Sequence, residues 1–161
     1  MIPKSLQSCF QTMKQTKDKD CNIIKGVLSC CNAQDFEVFV AGKIKHSIFT
    51  RMFLYPENDQ MIIAVRCKKC GKVISIFNSS CDGYGKCEKK EMAHISPRPI
   101  NCIKCRNKSF SVSIKYEYPD VQELKELEIE ETENAFTWIY ITLECNKCRT
   151  RYRNFVDYET T

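Results

Sequence analysis

Three pairs of cysteines in this chain share the spacing Cys-x-x-Cys: Cys67/Cys70, Cys102/Cys105 and Cys145/Cys148. Two intervening residues let a tight turn aim both thiolates at one ion. Two such turns facing each other build the tetrahedral thiolate cage that Zn2+ favours. The chain has twelve cysteines in 161 residues, against two histidines and five glycines. Disulfides are the competing use of so many thiols. The opening residues Met1-Ile2-Pro3-Lys4 lack the apolar stretch of an export signal, so a cytoplasmic location is expected. Disulfides do not persist in that reducing compartment, which leaves metal. Iron is the alternative occupant of an all-thiolate cage.

The clearest cage is Cys102 and Cys105 with Cys145 and Cys148. Strand-like runs adjoin both pairs. Ser109 to Tyr116 alternates polar and apolar residues, and Thr137 to Glu144 is β-branched and aromatic and runs into Cys145. Tyr152 to Val156 is a further strand after Cys148. This order of turn, strand, excursion, strand, turn and strand resembles the zinc-ribbon class, from Cys102 to about Tyr158. The resemblance implies a closed zinc site in a small antiparallel sheet.

The first half of the chain repeats the plan. Phe110 and Val112 follow Cys105 at offsets of five and seven residues, as Phe36 and Val38 follow Cys31. Phe155 follows Cys148 at offset seven, as Phe77 follows Cys70. The partner of Cys102 in this alignment is Leu28, which cannot bind metal. Cys30 and Cys31 stand side by side instead, an arrangement that rarely aims two thiols at one ion without strain. The ligand set is therefore open. The local set is Cys67, Cys70, Cys81 and Cys87; the repeat-based set is Cys30 or Cys31 with Cys67, Cys70 and one loop cysteine. Shorter loop closure favours the local set. His94 is a reserve ligand. Cys9 and Cys21 read as small buried apolar residues.

The expected fold is mainly β with minor α: two tandem, small, zinc-ribbon-like antiparallel sheets. The expected divisions are a basic segment over 1–27, a first unit over 28–96 and a second over 97–161. Within 1–27, Leu6, Phe10 and Met13 are spaced for one face of a short helix. Residues 35–54 read as a strand pair, 55–59 as a turn, and 60–66 and 73–77 as strands flanking the first Cys-x-x-Cys. Pro97 and Pro99 mark the boundary between units. Residues 117–133 form an acidic excursion with one Lys, in which Pro119-Asp120 opens a short helix carrying Val121, Leu124 and Leu127.

No apolar run is long enough to cross a membrane as a helix. The formal charge is +5. Residues 1–27 carry five Lys against two Asp, and residues 102–161 carry nine basic against eleven acidic side chains. Each zinc with four thiolates adds a charge of −2, so two loaded cages bring the chain to about +1. That weakens a nucleic-acid reading, whose candidate contacts are Arg149, Arg151, Arg153, Lys68 and Lys69, with Tyr152 and Phe155 as stacking surfaces.

An enzyme is not expected. Catalytic zinc keeps an open position and usually takes His or carboxylate ligands, whereas all-cysteine cages are closed. The zinc-deaminase pattern fails, because His94-Ile95-Ser96 lacks its Glu. Two zinc ions are expected, in a non-catalytic module that binds a protein partner. Nucleic-acid binding is the alternative, and an iron electron carrier or an enzyme of another kind the second.

Overall fold

The computed structural model describes residues 2–17, 21–48, 51–84, 96–126 and 132–160. The fold is mainly β, with antiparallel pairing throughout. Among the described residues, eleven strands follow a 3-10 turn at Lys4–Leu6: β1 (Phe10–Lys17), β2 (Cys21–Leu28), β3 (Phe36–Ala41), β4 (Lys43–His46), β5 (Met52–Tyr55), β6 (Ile62–Cys67), β7 (Val73–Asn78), β8 (Arg98–Pro99), β9 (Phe110–Pro119), β10 (Trp138–Cys145) and β11 (Arg151–Glu159). Helix α1 (Val121–Glu126) and a second 3-10 turn at Thr132–Asn134 lie between β9 and β10. Nine strands make one sheet, and β4 and β5 form a separate pair.

The alternation seen in the sequence sets the faces. In β9 the side chains of Phe110, Val112, Ile114, Tyr116 and Tyr118 are buried, and the intervening residues are half-buried. β10 follows the same period, with Ile139, Ile141, Leu143 and Cys145 inward. Two three-stranded units result. β3 pairs with β6 and β6 with β7; β9 pairs with β10 and β10 with β11. Their registers correspond: Phe36 lies opposite Cys67 as Phe110 lies opposite Cys145, and Val65 opposite Ile74 as Leu143 opposite Tyr152. Each unit has a bulge at the same place, after Ile63 and after Ile141.

The units are not separate sheets. β3 meets β9 at the pair Phe36–Phe110, and the aromatic core is shared. Phe77 of the first unit packs 6.0 Å from Phe136 and 5.4 Å from Tyr158 of the second, ring centre to ring centre. Phe136 in turn lies 4.9 Å from Tyr116.

Two expectations need correction. The segment around Leu6 to Met13 is not a helix. Leu6 is buried in the 3-10 turn, Phe10 opens β1 opposite Leu28, and Met13 is 70% exposed at a bulge. Pairing to β2 outweighs the helical spacing, and β2 continues the sheet onto β9. The 35–54 strand pair is also differently partnered. β3 pairs with β6, and the chain leaves the sheet at Gly42 to form the β4–β5 pair. Gly42 has φ of +140°, and a Cβ there would lie 2.6 Å from the Tyr55 carbonyl oxygen. Helix α1 begins after Pro119-Asp120, where Asp120 accepts a hydrogen bond from the Gln122 N–H at 2.8 Å. Leu127, Glu128, Glu130 and Glu131 lie outside the described residues.

Candidate metal centre

The three Cys-x-x-Cys segments fold into the same turn. The N–H of Gly71, Arg106 and Arg149 donates to the carbonyl of Cys67, Cys102 and Cys145 respectively, at 2.8–2.9 Å. The N–H of each first cysteine donates to the carbonyl five residues on, at Lys72, Asn107 and Thr150. The residue after each second cysteine has positive φ: 75° at Gly71, 61° at Arg106 and 60° at Arg149. This left-handed residue lets the chain double back so that both thiols lie on one side.

Cys102, Cys105, Cys145 and Cys148 place their four Sγ atoms within 4.8 Å of one another. So do Cys30, Cys31, Cys67 and Cys70. The individual separations are 3.5 Å for Cys102–Cys148 and for Cys105–Cys145, 3.6 Å for Cys30–Cys70 and 3.8 Å for Cys30–Cys31. Tetrahedral thiolates about 2.3 Å from a metal stand about 3.8 Å apart, so both sets fit a metal ion with little movement. These distances exclude disulfides, and the described cysteines are free thiols.

Among the described residues, the first tetrad draws its two further thiols from Cys30 and Cys31. Both adjacent cysteines take part, and Cys81 is not among the four. Cys87 and His94 lie outside the described residues. The obstacle to two neighbouring thiols facing one ion is removed by a tight turn. Cys30 and Ala33 exchange backbone hydrogen bonds of 2.9 and 3.0 Å around Cys31 and Asn32, whose φ values are 55° and 58°. That is a type I′ turn, which needs positive φ at both central residues. Asn32, a residue tolerant of that conformation, was the available sequence signal. Cys31 aligns with Cys105, Asn32 with the positive-φ Arg106, and Cys30 takes the place of Cys102.

The two centres differ in their surroundings. In the second, Cys102 and Cys145 are buried and the other two cysteines half-buried. Tyr152 places its hydroxyl 3.1 Å from Cys102 Sγ and accepts the Ile103 N–H at 2.9 Å. The Asn107 amide donates to Cys145 Sγ at 3.7 Å, and Thr150 Oγ1 lies 3.1 Å from Cys148 Sγ. The Thr150 hydroxyl and N–H hold the Cys148 thiol down at about 6. Against the pull of the Asn107 N–H, burial and the neighbouring thiols push Cys105 up to about 12. Such supporting donors orient ligands and tune their charge. None of the three was singled out as a support from the sequence.

In the first centre only Cys67 is buried, and Cys31 and Cys70 are exposed. The positions matching Tyr152, Thr150 and Asn107 are Ile74, Lys72 and Ala33, which bring no side-chain hydroxyl or amide. The Lys72 N–H holds Cys70 down at about 7, and burial with the neighbouring thiols raises Cys30 to about 12.

A polar network joins the two centres. The Lys68 N–H donates to the Asp35 carbonyl and the Asn146 N–H to the Ser109 carbonyl, both at 3.0 Å. These matching positions touch each other, because Ser109 Oγ donates to the Asp35 carboxylate. The Asn146 amide reaches the Gln34 carbonyl at 3.3 Å and Ser109 Oγ at 2.9 Å.

The candidate nucleic-acid contacts are largely engaged. Arg149 and Arg151 both pair with Glu144, the latter at 2.6 Å. Lys69 Nζ donates to the Cys31 carbonyl at 3.1 Å, and Lys68 lies 4.0 Å from Asp35. Tyr152 and Phe155 are buried and offer no face for stacking, while Arg153 is exposed. The ends of the acidic excursion pair with N-terminal lysines, Lys17–Asp120 at 3.7 Å and Lys4–Glu133 at 3.2 Å. No helix among the described residues is long and apolar enough to cross a membrane.

Comparison of the chain with models of known protein families, with curated proteins and with solved structures finds no match.

Proposed function

We propose that the chain is a non-catalytic zinc-binding module, built on a doubled zinc-ribbon-like plan, that serves as a protein-interaction adaptor in the reducing cytoplasm. The observation that carries the metal reading is the convergence of four sulfurs in each of two separate places, from segments up to 46 residues apart. Four thiolates fill a tetrahedral zinc ion and leave no position for water or substrate, which fits a structural rather than a catalytic ion. The free thiols fit a reducing compartment.

The adaptor role is argued from chemistry. A sheet with one buried and one solvated face, stiffened by metal at its turns, offers a rigid surface without catalytic groups. The nucleic-acid alternative is weakened because Arg149 and Arg151 are both held by Glu144, whose single charge offsets one of theirs.

The test has two parts. Metal analysis of the untagged, reduced protein is expected to give zinc and a colourless solution; iron and visible absorption would replace the module with an electron carrier. A defined protein partner is then expected to co-purify stoichiometrically with wild type, and not after zinc removal. Affinity for single-stranded oligonucleotides that falls steeply with salt, without any protein partner, would overturn the adaptor reading in favour of the alternative.

A further inference from the structure

The solvated face of the β1–β2–β9–β10–β11 array carries an ordered charge pattern. Strand registers place Lys14, Lys25, Lys115, Tyr140 and Asp157 in one row across the five strands. The adjoining row is Thr16, Ile23, Glu117, Trp138 and Glu159. All ten side chains are half-buried or exposed. β9 is the central strand, and its charges cancel: Lys115 Nζ lies 2.7 Å from Glu117 and 3.6 Å from the centre of the Tyr140 ring. What remains is segregated. Lys14 and Lys25 stand on one side of β9, and Asp157 and Glu159 on the other.

Lys14 lies directly opposite Lys25, an arrangement that costs stability in a sheet. Neither has an ion-pair partner among the described residues, and nor have Asp157 and Glu159, although Asp157 accepts the Trp138 indole N–H at 2.7 Å. Beside the charges lie apolar surfaces on both halves, Ile23 on one and the stacked Trp138–Tyr140 pair, 5.9 Å apart, on the other. Further along this face Arg151 pairs with Glu144; in the two rows themselves, basic residues stand on one half and acidic residues on the other, and so the rows are complementary to themselves.

We propose that this face docks on the same face of a second copy of the chain, about a two-fold axis running along β9. That rotation keeps the rows and exchanges β1 with β11 and β2 with β10. Lys14 then meets the partner's Asp157, Lys25 the partner's Tyr140, and Ile23 the partner's Trp138. Each contact occurs twice, as in any isologous interface. Off the axis, ion pairing, a cation over a ring and apolar contact are thus satisfied together; on the axis Lys115 and Glu117 each meet their own counterparts, and the Lys115–Glu117 pair within each chain offsets those like charges. Five strands spaced about 4.8 Å apart and about 25 Å long cover about 500 Å2 per copy, at the low end for a specific interface. The dimer is therefore weak and concentration-dependent.

Sedimentation equilibrium of the full, zinc-loaded chain over a wide concentration range tests this. A monomer–dimer equilibrium that weakens with added salt is expected. Lys14→Glu and Asp157→Lys are each expected to raise the dissociation constant roughly tenfold. An equimolar mixture of the two variants should recover the dimer, because every Glu then faces a Lys. Should Asp157→Lys fail to fold, Lys25→Glu gives the same loss from an exposed position. A monomer at all concentrations overturns the proposal, whether or not the lysine row binds an oligonucleotide. So does a dimer that the variants form unchanged. Zinc content, measured on the same samples, reports separately on the metal reading.

Discussion

Phe36 and Phe110 face each other across the junction of β3 and β9, and each also lies opposite the first cysteine of its own unit's Cys-x-x-Cys turn, Cys67 and Cys145. Both phenylalanines are fully buried. The two units therefore meet at matching positions, close to both candidate metal centres. Next to this pair, Asp35 and Ser109 repeat the relationship through a hydrogen bond. One core and one polar network thus serve both centres.

The exposed first tetrad lacks the hydroxyl and amide support that Tyr152, Thr150 and Asn107 give the second. Loss of such support typically weakens a metal site by about 10–100-fold. A chelator added to the zinc-loaded protein is expected to remove one equivalent at least roughly tenfold faster than the other. Cys31→Ser should abolish the fast phase and leave the slow one, read by a colorimetric zinc dye. A single phase for both equivalents would contradict the difference.

Tyr152→Phe removes the hydroxyl that contacts Cys102 and accepts the Ile103 N–H. Burial, with Cys102 adjacent, raises the Tyr152 pKa, so the hydroxyl keeps its proton for the sulfur. Zinc affinity at the second centre is expected to fall about tenfold or more, with the first unchanged. Competition titrations with a chelator of known affinity read both.

The Tyr116 hydroxyl is buried without a hydrogen-bond partner among the described residues. Its ring packs between Phe10, Tyr118 and Phe136. An unsatisfied buried hydroxyl costs stability, so Tyr116→Phe is expected to stabilise the fold by about 1 kcal/mol. Thermal unfolding should show a rise of about 2–4 °C.

Burial raises the pKa of Asp82, against the opposing Asn78 N–H that its carboxylate accepts at 2.7 Å. An acid with a raised folded pKa holds its proton more tightly in the native state. Its contribution is present at low pH and lost as pH rises from the unfolded value through the folded one. Asp82→Asn keeps an acceptor for Asn78 but has no proton to lose. Its stability relative to wild type is therefore expected to climb as pH leaves the carboxylate range and to level off once Asp82 is ionised. Denaturant melts at a series of pH values check this.

The strands of the second unit were legible because their burial period is local: Ser109 to Tyr116 alternates one residue at a time. The second tetrad was legible from spacing alone. In the first, Cys67 and Cys70 were legible for the same reason, but their partners were not. Whether adjacent thiols can converge depends on the backbone at Cys31 and Asn32, and positive φ there is a conformational outcome that ligand spacing does not encode. The β1–β2 hairpin was hidden because Leu6, Phe10 and Met13 fit a helix locally, and the edge of β9 that recruits β2 lies about ninety residues away in sequence. The fusion of two units into one sheet at Phe36 and Phe110 leaves no local trace either. Supporting residues such as Tyr152 read as ordinary strand aromatics until the fold sets them beside sulfur.

Native mass spectrometry of the full chain under reducing conditions, paired with X-ray absorption at the metal edge, tests the central claim most directly. Two zinc ions per chain, each in an all-sulfur shell, are expected for wild type, and one in a Cys30→Ser/Cys70→Ser variant. A metal-free chain, or cysteines joined in disulfides under those conditions, would contradict the account.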